Sequence, residues 1–172
     1  MQQAGKVVAV ITANPALSSV LTMVLGSDRR LRVRPFESEF ALATYMRIAP
    51  VDVLIIDLDR EDVPAVELVA ALRARPGIVR ADFQAIALTR TVTSALRDAS
   101  IAAGIDEVIV KPMSPRHLLE RVVARLDLRR PFVVASGYRG PDRRDRMPAS
   151  SRPSDHGRRR GDNVVELFPQ NV

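Results

Sequence analysis

The sequence contains no cysteine and no tryptophan, and aromatic residues make up only 4% of its 172 residues. The absence of cysteine excludes disulfide bonds and thiolate metal sites, and it fits a reducing cytoplasm. Because aromatic residues are scarce, the core must be built from aliphatic side chains. No run approaches the roughly 18 consecutive apolar residues of a membrane span, and no signal-peptide pattern opens the chain. We therefore expect a cytoplasmic protein that has no part in the membrane.

The positive charge is concentrated in the last quarter of the chain. Residues 1–128 hold 16 basic and 15 acidic residues, whereas residues 129–172 hold 10 and 5, which supplies most of the net charge of +6. The first segment is long enough for one domain with a modest core. The second is rich in Ser, Pro, Gly and Arg, which cannot bury enough apolar surface to offset the entropy of ordering. We predict one domain over residues 1–128 and a basic, largely disordered tail over residues 129–172.

Two short apolar islands interrupt this tail. Phe132–Val134 could add an edge strand or fold back on the domain. Val164–Phe168 follows a polar stretch and is typical of a peptide that docks on another surface. Residues 147–162, between the islands, are predicted to be disordered.

Strand-like and helix-like segments alternate five times along residues 1–128. The strand-like runs are residues 7–11, 31–36, 52–57, 83–88 and 107–110. Each is followed by a segment with helical apolar spacing; the second helix, for example, carries Phe40, Thr44 and Ile48. Such an alternation requires right-handed crossovers and a parallel sheet covered on both faces. The predicted fold class is α/β, with a five-stranded, parallel, doubly wound sheet.

Three of the apolar runs end in a polar side chain, namely Asp57, Thr89 and Lys111. In an open parallel sheet the carboxyl ends of the strands meet at one edge, where chemistry collects. A carboxylate, a hydroxyl and an ammonium suit the acceptance of a phosphoryl group, with Asp57 as nucleophile and the other two as donors to phosphoryl oxygens. Arginine fills 24 of the 26 basic positions, so the choice of lysine at position 111 is informative. A compact ammonium suits a narrow pocket better than a forked guanidinium does.

The order of the elements resembles that of the response-regulator receiver family, the chemotaxis-type domains of bacterial two-component signalling. The segments Val51–Leu58, Ala87–Thr89 and Gly104–Pro112 carry the resemblance, which covers about residues 6–128. It implies a flavodoxin/CheY-like fold and a signalling module rather than an enzyme. It also implies that Asp57 is phosphorylated by a histidine kinase or phosphotransfer protein, and that Thr89 and Lys111 sense the phosphoryl group. In the family, the face formed by the fourth helix, fifth strand and fifth helix carries the output, and a homodimer could form through it.

The chain departs from the family pattern where a metal would bind. Receivers normally end their first strand with two acidic residues that hold Mg²⁺ together with the phosphoacceptor. Here the positions hold Thr12 and Ala13, or Ala13 and Asn14 after a one-residue slip. We expect no resident cofactor and at most weak Mg²⁺ binding, with Asp57 and Asp59 as the only candidate ligands. Asp59 would ordinarily contribute only its backbone carbonyl.

Two further positions are unusual for a receiver. Arg90 stands where the family has a small residue, and it could cover the pocket or pair with Asp57 in place of the missing cation. Val108 stands where the family has an aromatic switch residue, so rotation of an aromatic ring cannot report phosphorylation. These departures predict an atypical receiver that acts through protein–protein interaction and does not depend on phosphorylation.

Three alternatives remain open from the sequence. The first is a conventional single-domain receiver that is phosphorylated on Asp57. The second is a phosphatase of the haloacid-dehalogenase type, with Asp59 as general acid, although no acidic pair follows Lys111. The third is nucleic-acid binding by the arginines of the tail, which would be phosphate-driven and salt-sensitive. Neither the second nor the third is favoured, because the motifs that each requires are missing.

Overall fold

The computed structural model describes residues 5–59, 64–144, 164–165 and 167. The strands are β1 (Lys6–Ile11), β2 (Leu31–Phe36), β3 (Val53–Asp57), β4 (Gln84–Thr89), β5 (Glu107–Val110), β6 (Phe132–Ala135), β7 (Tyr138–Pro141) and β8 (Val164–Val165). The helices are α1 (Pro15–Gly26), α2 (Glu39–Ile48), α3 (Ala65–Ala74), α4 (Ser94–Ala102) and α5 (Pro115–Asp127). From β1 to α5 the two kinds of element alternate as the sequence predicts.

Polar side chains fix where several helices begin. The Asn14 side-chain oxygen accepts hydrogen bonds from two amides in the first turn of α1. Pro15 takes the first helical position, where its missing N–H leaves no bond unmade. The hydroxyls of Ser38, Thr93 and Ser114 each accept one amide hydrogen bond at the start of α2, α4 and α5. Each cap contributes about 1 kcal/mol, and those of α1 and α5 also shape the loops that follow β1 and β5.

The central sheet is parallel and doubly wound, as predicted. Its order is β2-β1-β3-β4-β5, and each neighbouring pair is parallel. The chain moves outward to β2 on one side of β1 and to β3, β4 and β5 on the other, so the order reverses between β1 and β3. Ligands of such sheets bind in the crevice outside the carboxyl ends at this reversal. The short strand β8 adds a sixth member, antiparallel, outside β5.

Apolar layers cover both faces of the sheet and hold the strand ends in place. On one face Ile11 and Ile56 belong to a buried cluster that includes residues of α2 and α3. On the other, Val10 and Ile55 belong to a cluster with residues of α1 and α5. All four side chains are fully buried, and each such burial stabilises the fold by about 1.5–3 kcal/mol. The aliphatic core expected from the composition is therefore the one observed.

Helix α2 buries a different face from the one predicted. Phe40 and Ile48 were expected on its inner side, but they are 80% and 78% exposed. The residues that α2 buries are Leu42, Ala43 and Met46. Both sets fit the helical period, so spacing alone cannot choose between them. The contacts of α2 with the sheet decide, and they select the second set.

Residues that follow α5 fold back on the body as a hairpin of β6 and β7. The Phe132 ring of this hairpin and the Phe83 ring both contact the Arg73 guanidinium, with centroid distances of 5.2 Å and 4.5 Å. Arg73 is buried, and it donates hydrogen bonds to the Gly104 carbonyl and the Asp106 carboxylate. Burial lowers the pKa of Arg73 and raises the pKa of Asp106. Of the two arrangements predicted for the first apolar island, the structure has the fold-back.

Part of the second apolar island also contacts the body. Val164 and Val165 form β8, and Leu167 is buried in the core. The stretch predicted to be disordered, residues 147–162, lies outside the described residues. Within the part of the chain that is described, no helix is long and apolar enough to cross a bilayer. The cytoplasmic location remains a prediction.

Candidate functional site

The structure brings the three predicted site residues together at the carboxyl edge of the sheet. Asp57 ends β3, Thr89 ends β4, and Lys111 directly follows β5, and these three strands are neighbours. Asp57 and Thr89 are only 4% and 2% exposed. An open cleft of about 900 Å³ lies at this edge. Its lining residues are Ala13, Asn14, Pro15, Leu17, Asp57, Asp59, Arg90, Lys111 and Pro112.

Asp57 is held by a direct ion pair with Lys111. The Lys111 Nζ atom lies 2.8 Å from Asp57 Oδ1. The same oxygen accepts a hydrogen bond of 3.0 Å from the Asp59 amide, which closes a tight turn after β3. Since the Lys111 side chain is 19% exposed and that of Asp57 is 6% exposed, solvent screens this pair only in part.

The Asp59 carboxylate occupies both donors that were assigned to a phosphoryl group. Lys111 Nζ lies 2.8 Å from Asp59 Oδ2, and Thr89 Oγ1 lies 3.0 Å from Asp59 Oδ1. The Arg90 amide also donates to Asp59 Oδ2 at 2.9 Å. The single Thr89 proton has one other acceptor, the Thr91 carbonyl oxygen, also at 3.0 Å. An anion that belongs to the chain itself is therefore bound in the pocket.

This role of Asp59 was not predicted from the sequence, which suggested Asp59 as a backbone contact, a weak metal ligand or a general acid. A carboxylate placed two residues after Asp57 can turn back into the pocket, and which way it turns depends on the loop. The sequence does contain one feature that points to this contact, namely the balance of charge at the site. Because no acidic residue follows β1, Lys111 can bind a second carboxylate in addition to that of Asp57.

Arg90 lines the cleft, but its ion pair is with Asp59 rather than with Asp57. Arg90 Nε lies 3.2 Å from Asp59 Oδ2, and the Arg90 side chain is 76% exposed. The expected pairing with Asp57 is therefore wrong. Asp59 lies between the two groups and accepts the bonds from both the backbone and the side chain of Arg90. At this exposure the side-chain pair contributes little to stability.

Hydrogen bonds outweigh burial in setting the charge of this pocket. Burial alone would raise the pKa of Asp59, but hydrogen bonds from Lys111 and Thr89 lower it below its ordinary value. Burial alone would lower the pKa of Lys111, but its hydrogen bonds with Asp57 and Asp59 raise it. At neutral pH the pocket therefore holds an ionised Asp59 and a protonated Lys111.

The end of β1 brings no carboxylate to the site. The Thr12 hydroxyl donates to the Asn14 carbonyl at 3.0 Å, within its own loop. Ala13 and Asn14 line the cleft, and the Asn14 oxygen is engaged in capping α1. Among the described residues, no group of three or more His, Cys, Asp or Glu side chains could hold a metal ion.

The residue at the expected switch position lies in the core. Val108 is a β5 residue with 1% exposure, and it belongs to the apolar cluster that includes Leu167. A buried valine has no ring to rotate between the core and solvent. The β5 position thus serves packing between the sheet and the segment that follows the hairpin.

A model of the response regulator receiver domain family matches residues 8–123. The chain belongs to this family. The match runs from β1 into α5, so the hairpin and β8 of this receiver lie outside it. Receiver domains are typically signalling modules rather than enzymes, and they interact with histidine kinases or phosphotransfer proteins in two-component systems.

The receiver is similar to a curated transcriptional regulator and to many solved structures. It is 32% identical over 138 residues to the phosphate regulon transcriptional regulatory protein PhoB of Rhizobium meliloti (strain 1021). The alignment covers 78% of this chain but only 58% of that protein, so the receiver spans little more than half of that relative's length.

Two solved structures illustrate the similarity in fold. A CheY-like receiver domain protein from Methanospirillum hungatei JF-1 has a TM-score of 0.64 at 20% identity, over 72% of this chain and 95% of that one. The chemotaxis protein CheY4 of Vibrio cholerae has a TM-score of 0.63 at 19% identity, over 70% of this chain and 98% of that one. At such identities the likeness concerns the fold.

Proposed function

We propose that this chain is an atypical receiver that signals by binding another protein and does not require phosphorylation of Asp57. The observation that carries the proposal is the position of the Asp59 carboxylate, which is bound by both Lys111 and Thr89. A phosphoryl group on Asp57 would need the same donors. The chain itself thus occupies the donors that a phosphoryl group would use.

An incoming phosphoryl donor has to displace a tethered anion. Asp59 is two residues from Asp57, so its carboxylate returns to Lys111 far faster than a dissolved anion can replace it. Hydrogen bonds between charged groups contribute about 1.5–3 kcal/mol each, and Lys111 makes two such bonds. Displacement therefore has a cost that a receiver with a free lysine does not bear.

The residues present do not fit the Mg²⁺ ion that the family implies. Thr12 and Ala13 replace its two acidic ligands, and the two carboxylates at the site are both bound to Lys111. A hard divalent cation would compete with the ammonium for both of them. We infer that Mg²⁺ binds weakly, and that the approach of an anionic donor to Asp57 is poorly offset.

The test is incubation with Mg²⁺ and a small phosphodonor, followed by intact-mass measurement. The wild type is expected to show little or no phosphoryl adduct. Stoichiometric, Mg²⁺-dependent phosphorylation that Asp57→Asn abolishes would overturn the proposal. A variant with Thr12→Asp, Ala13→Asp and Asp59→Asn is the positive control, because it restores two acids and frees the donors. This variant is expected to bind Mg²⁺ more tightly than the wild type.

The second candidate is a conventional receiver, phosphorylated on Asp57 by a histidine kinase or phosphotransfer protein. The observation in its favour is the ion pair of 2.8 Å between Lys111 and Asp57 at the end of an open cleft. The same mass measurement decides between the two candidates. In either case, a homodimer through the face of α4, β5 and α5 would have to accommodate β8, which already pairs with β5.

A further inference from the structure

The last described residues of the chain lie along the outer edge of β5, the last parallel strand of the sheet. Val164 pairs with Ile109 and Val165 pairs with Val108, in antiparallel register. Two residues further on, Leu167 is 3% exposed and lies in the apolar cluster that includes Val108 and Ile105. This edge therefore accepts an extended segment through its backbone, and it buries one leucine beside it.

Arg143 fastens the segment to the edge. Its Nη1 donates a hydrogen bond of 2.6 Å to the Leu167 carbonyl oxygen, and its Nη2 donates to the Ile105 carbonyl oxygen just before β5. Its Nε donates to the Tyr138 hydroxyl at 3.2 Å. That hydroxyl in turn donates to the Pro141 carbonyl at 2.8 Å. One guanidinium thus joins the hairpin, the body and the docked segment.

These contacts have the form of peptide recognition by strand addition. In such sites the backbone ladder gives affinity, and a pocket for one side chain gives specificity. Here the ladder is β5, the pocket receives Leu167, and Arg143 binds a backbone carbonyl, which any sequence presents. The site therefore selects an extended segment with two β-branched residues followed, after one residue, by leucine.

β5 spans the four residues Glu107–Val110, and among the described residues Val164 and Val165 pair with two of them. A strand of the same pattern from another protein can make the same contacts. The segment of the chain itself keeps its place through tethering, since an intramolecular strand has an effective concentration of about 1 mM.

We propose that the β5 edge, the Leu167 pocket and Arg143 form a docking site for a protein partner that presents an extended Val-Val-x-Leu-like segment. Val164, Val165 and Leu167 of the chain hold this site in cis, and the partner strand displaces them. The proposal does not depend on whether Asp57 accepts a phosphoryl group.

The test measures binding of a labelled peptide that copies residues 163–170 (Asn-Val-Val-Glu-Leu-Phe-Pro-Gln) to the full chain. Two variants release the resident segment by different means. Leu167→Asp places a charge in the apolar pocket, and Val165→Pro places a residue that sheets tolerate poorly at the position paired with Val108. If the free peptide binds with a Kd of about 0.1 mM, the cis segment should weaken binding to the wild type about tenfold. Both variants are therefore expected to bind the peptide about tenfold more tightly than the wild type.

A matched pair of arginine variants tests the recognition itself. In the Leu167→Asp background, Arg143→Ala is expected to weaken peptide binding at least tenfold. Arg144→Ala, which removes the same charge from an exposed neighbour that pairs only loosely with Asp142 at 3.9 Å, is expected to leave it unchanged. Equal losses from both variants would mean that charge alone attracts the peptide, and would overturn the proposed site.

Two other results would overturn the proposal. One is equal peptide affinity of the wild type and both released variants, with far-UV circular dichroism showing that all are folded. The other is a wild-type dimer by light scattering that becomes monomeric in Leu167→Asp, because a second copy would then supply the strand and the cis arrangement would be wrong.

Discussion

Asp57 and Asp59 are separated by one residue, yet the sequence predicts the contact of Asp57 with Lys111 and does not predict the contacts of Asp59. The contact of Asp57 with Lys111 could be expected, because the ends of neighbouring parallel strands must meet at one edge. The contact of Asp59 with Lys111 and Thr89 could not, because it depends on the path of the loop after β3. The pattern and spacing of apolar residues predict where each strand ends. They do not predict the orientation of a side chain in the following loop, which depends on the polar groups that are still without a hydrogen-bond partner.

Asp59→Asn is expected to lower the free energy of unfolding by about 1–3 kcal/mol at neutral pH. The neutral side chain loses the ion pair with Lys111 and weakens the bonds from Thr89 and the Arg90 amide. Urea unfolding measures the difference. Asp98→Asn, at an exposed site on α4, is the matched control and should change stability by about 0.5 kcal/mol or less. Equal effects of the two variants would contradict the role given to Asp59.

The stability that Asp59 contributes should depend on pH in a defined direction. Its pKa is lowered in the folded state, so the contribution is present above the unfolded pKa of about 3.9 and is lost as the pH falls through the folded pKa. The pKa of Lys111 is raised, so its contribution is present below about 10.4 and is lost as the pH rises through the folded value. The stability difference between the wild type and Asp59→Asn should therefore be flat at neutral pH and shrink at both extremes. A difference that grows on acidification would refute the assignment.

Among the elements, the alternation of strands and helices was predictable from the sequence. The inner face of α2 was not, because two apolar sets share the helical period there. The fold-back of Phe132–Val134 was predicted only as one of two arrangements, and its form as a hairpin was not predicted. The hairpin packs on the body through the buried Arg73, which contacts two aromatic rings, and through a close backbone contact at Gly104. A buried arginine adds nothing to the apolar periodicity of the sequence, so these contacts could not be predicted from it.

The hairpin should be sensitive to a single methyl group at Gly104. This residue has φ +76°, and a Cβ there would lie 2.4 Å from the Arg139 carbonyl oxygen and 2.9 Å from the Gly140 Cα. Gly137 also has φ +76°, but a Cβ there would meet nothing within 4 Å. Gly137→Ala is therefore expected to cost only the backbone term of about 1–2 kcal/mol.

Gly104→Ala adds the steric term and should cost about 1–3 kcal/mol more than Gly137→Ala in urea unfolding. It is also expected to increase amide exchange in β6 and β7, which Gly137→Ala leaves protected. If both variants lost the same stability, the close contact between the hairpin and Gly104 would not be a source of stability.

In the molecule as a whole, the receiver carries two features next to β5. The pocket at the carboxyl end of β5 holds the Asp59 carboxylate, and the outer edge of β5 pairs with the strand β8 of the same chain. In both places the chain itself provides the group that a partner would otherwise bring. Both features arise outside the regular strands and helices of the body, which is why the fold could be read from the sequence more fully than the state of its sites.

A carboxyl NMR titration of Asp59 in the full chain tests directly whether Lys111 and Thr89 bind the Asp59 carboxylate. If they do, the pKa of Asp59 in the wild type lies below the ordinary value of about 3.9. In Lys111→Met the pKa should rise, because burial then acts without the largest opposing hydrogen bond. An Asp59 pKa at or above the ordinary value in the wild type, unchanged in Lys111→Met, would show that Lys111 does not bind this carboxylate.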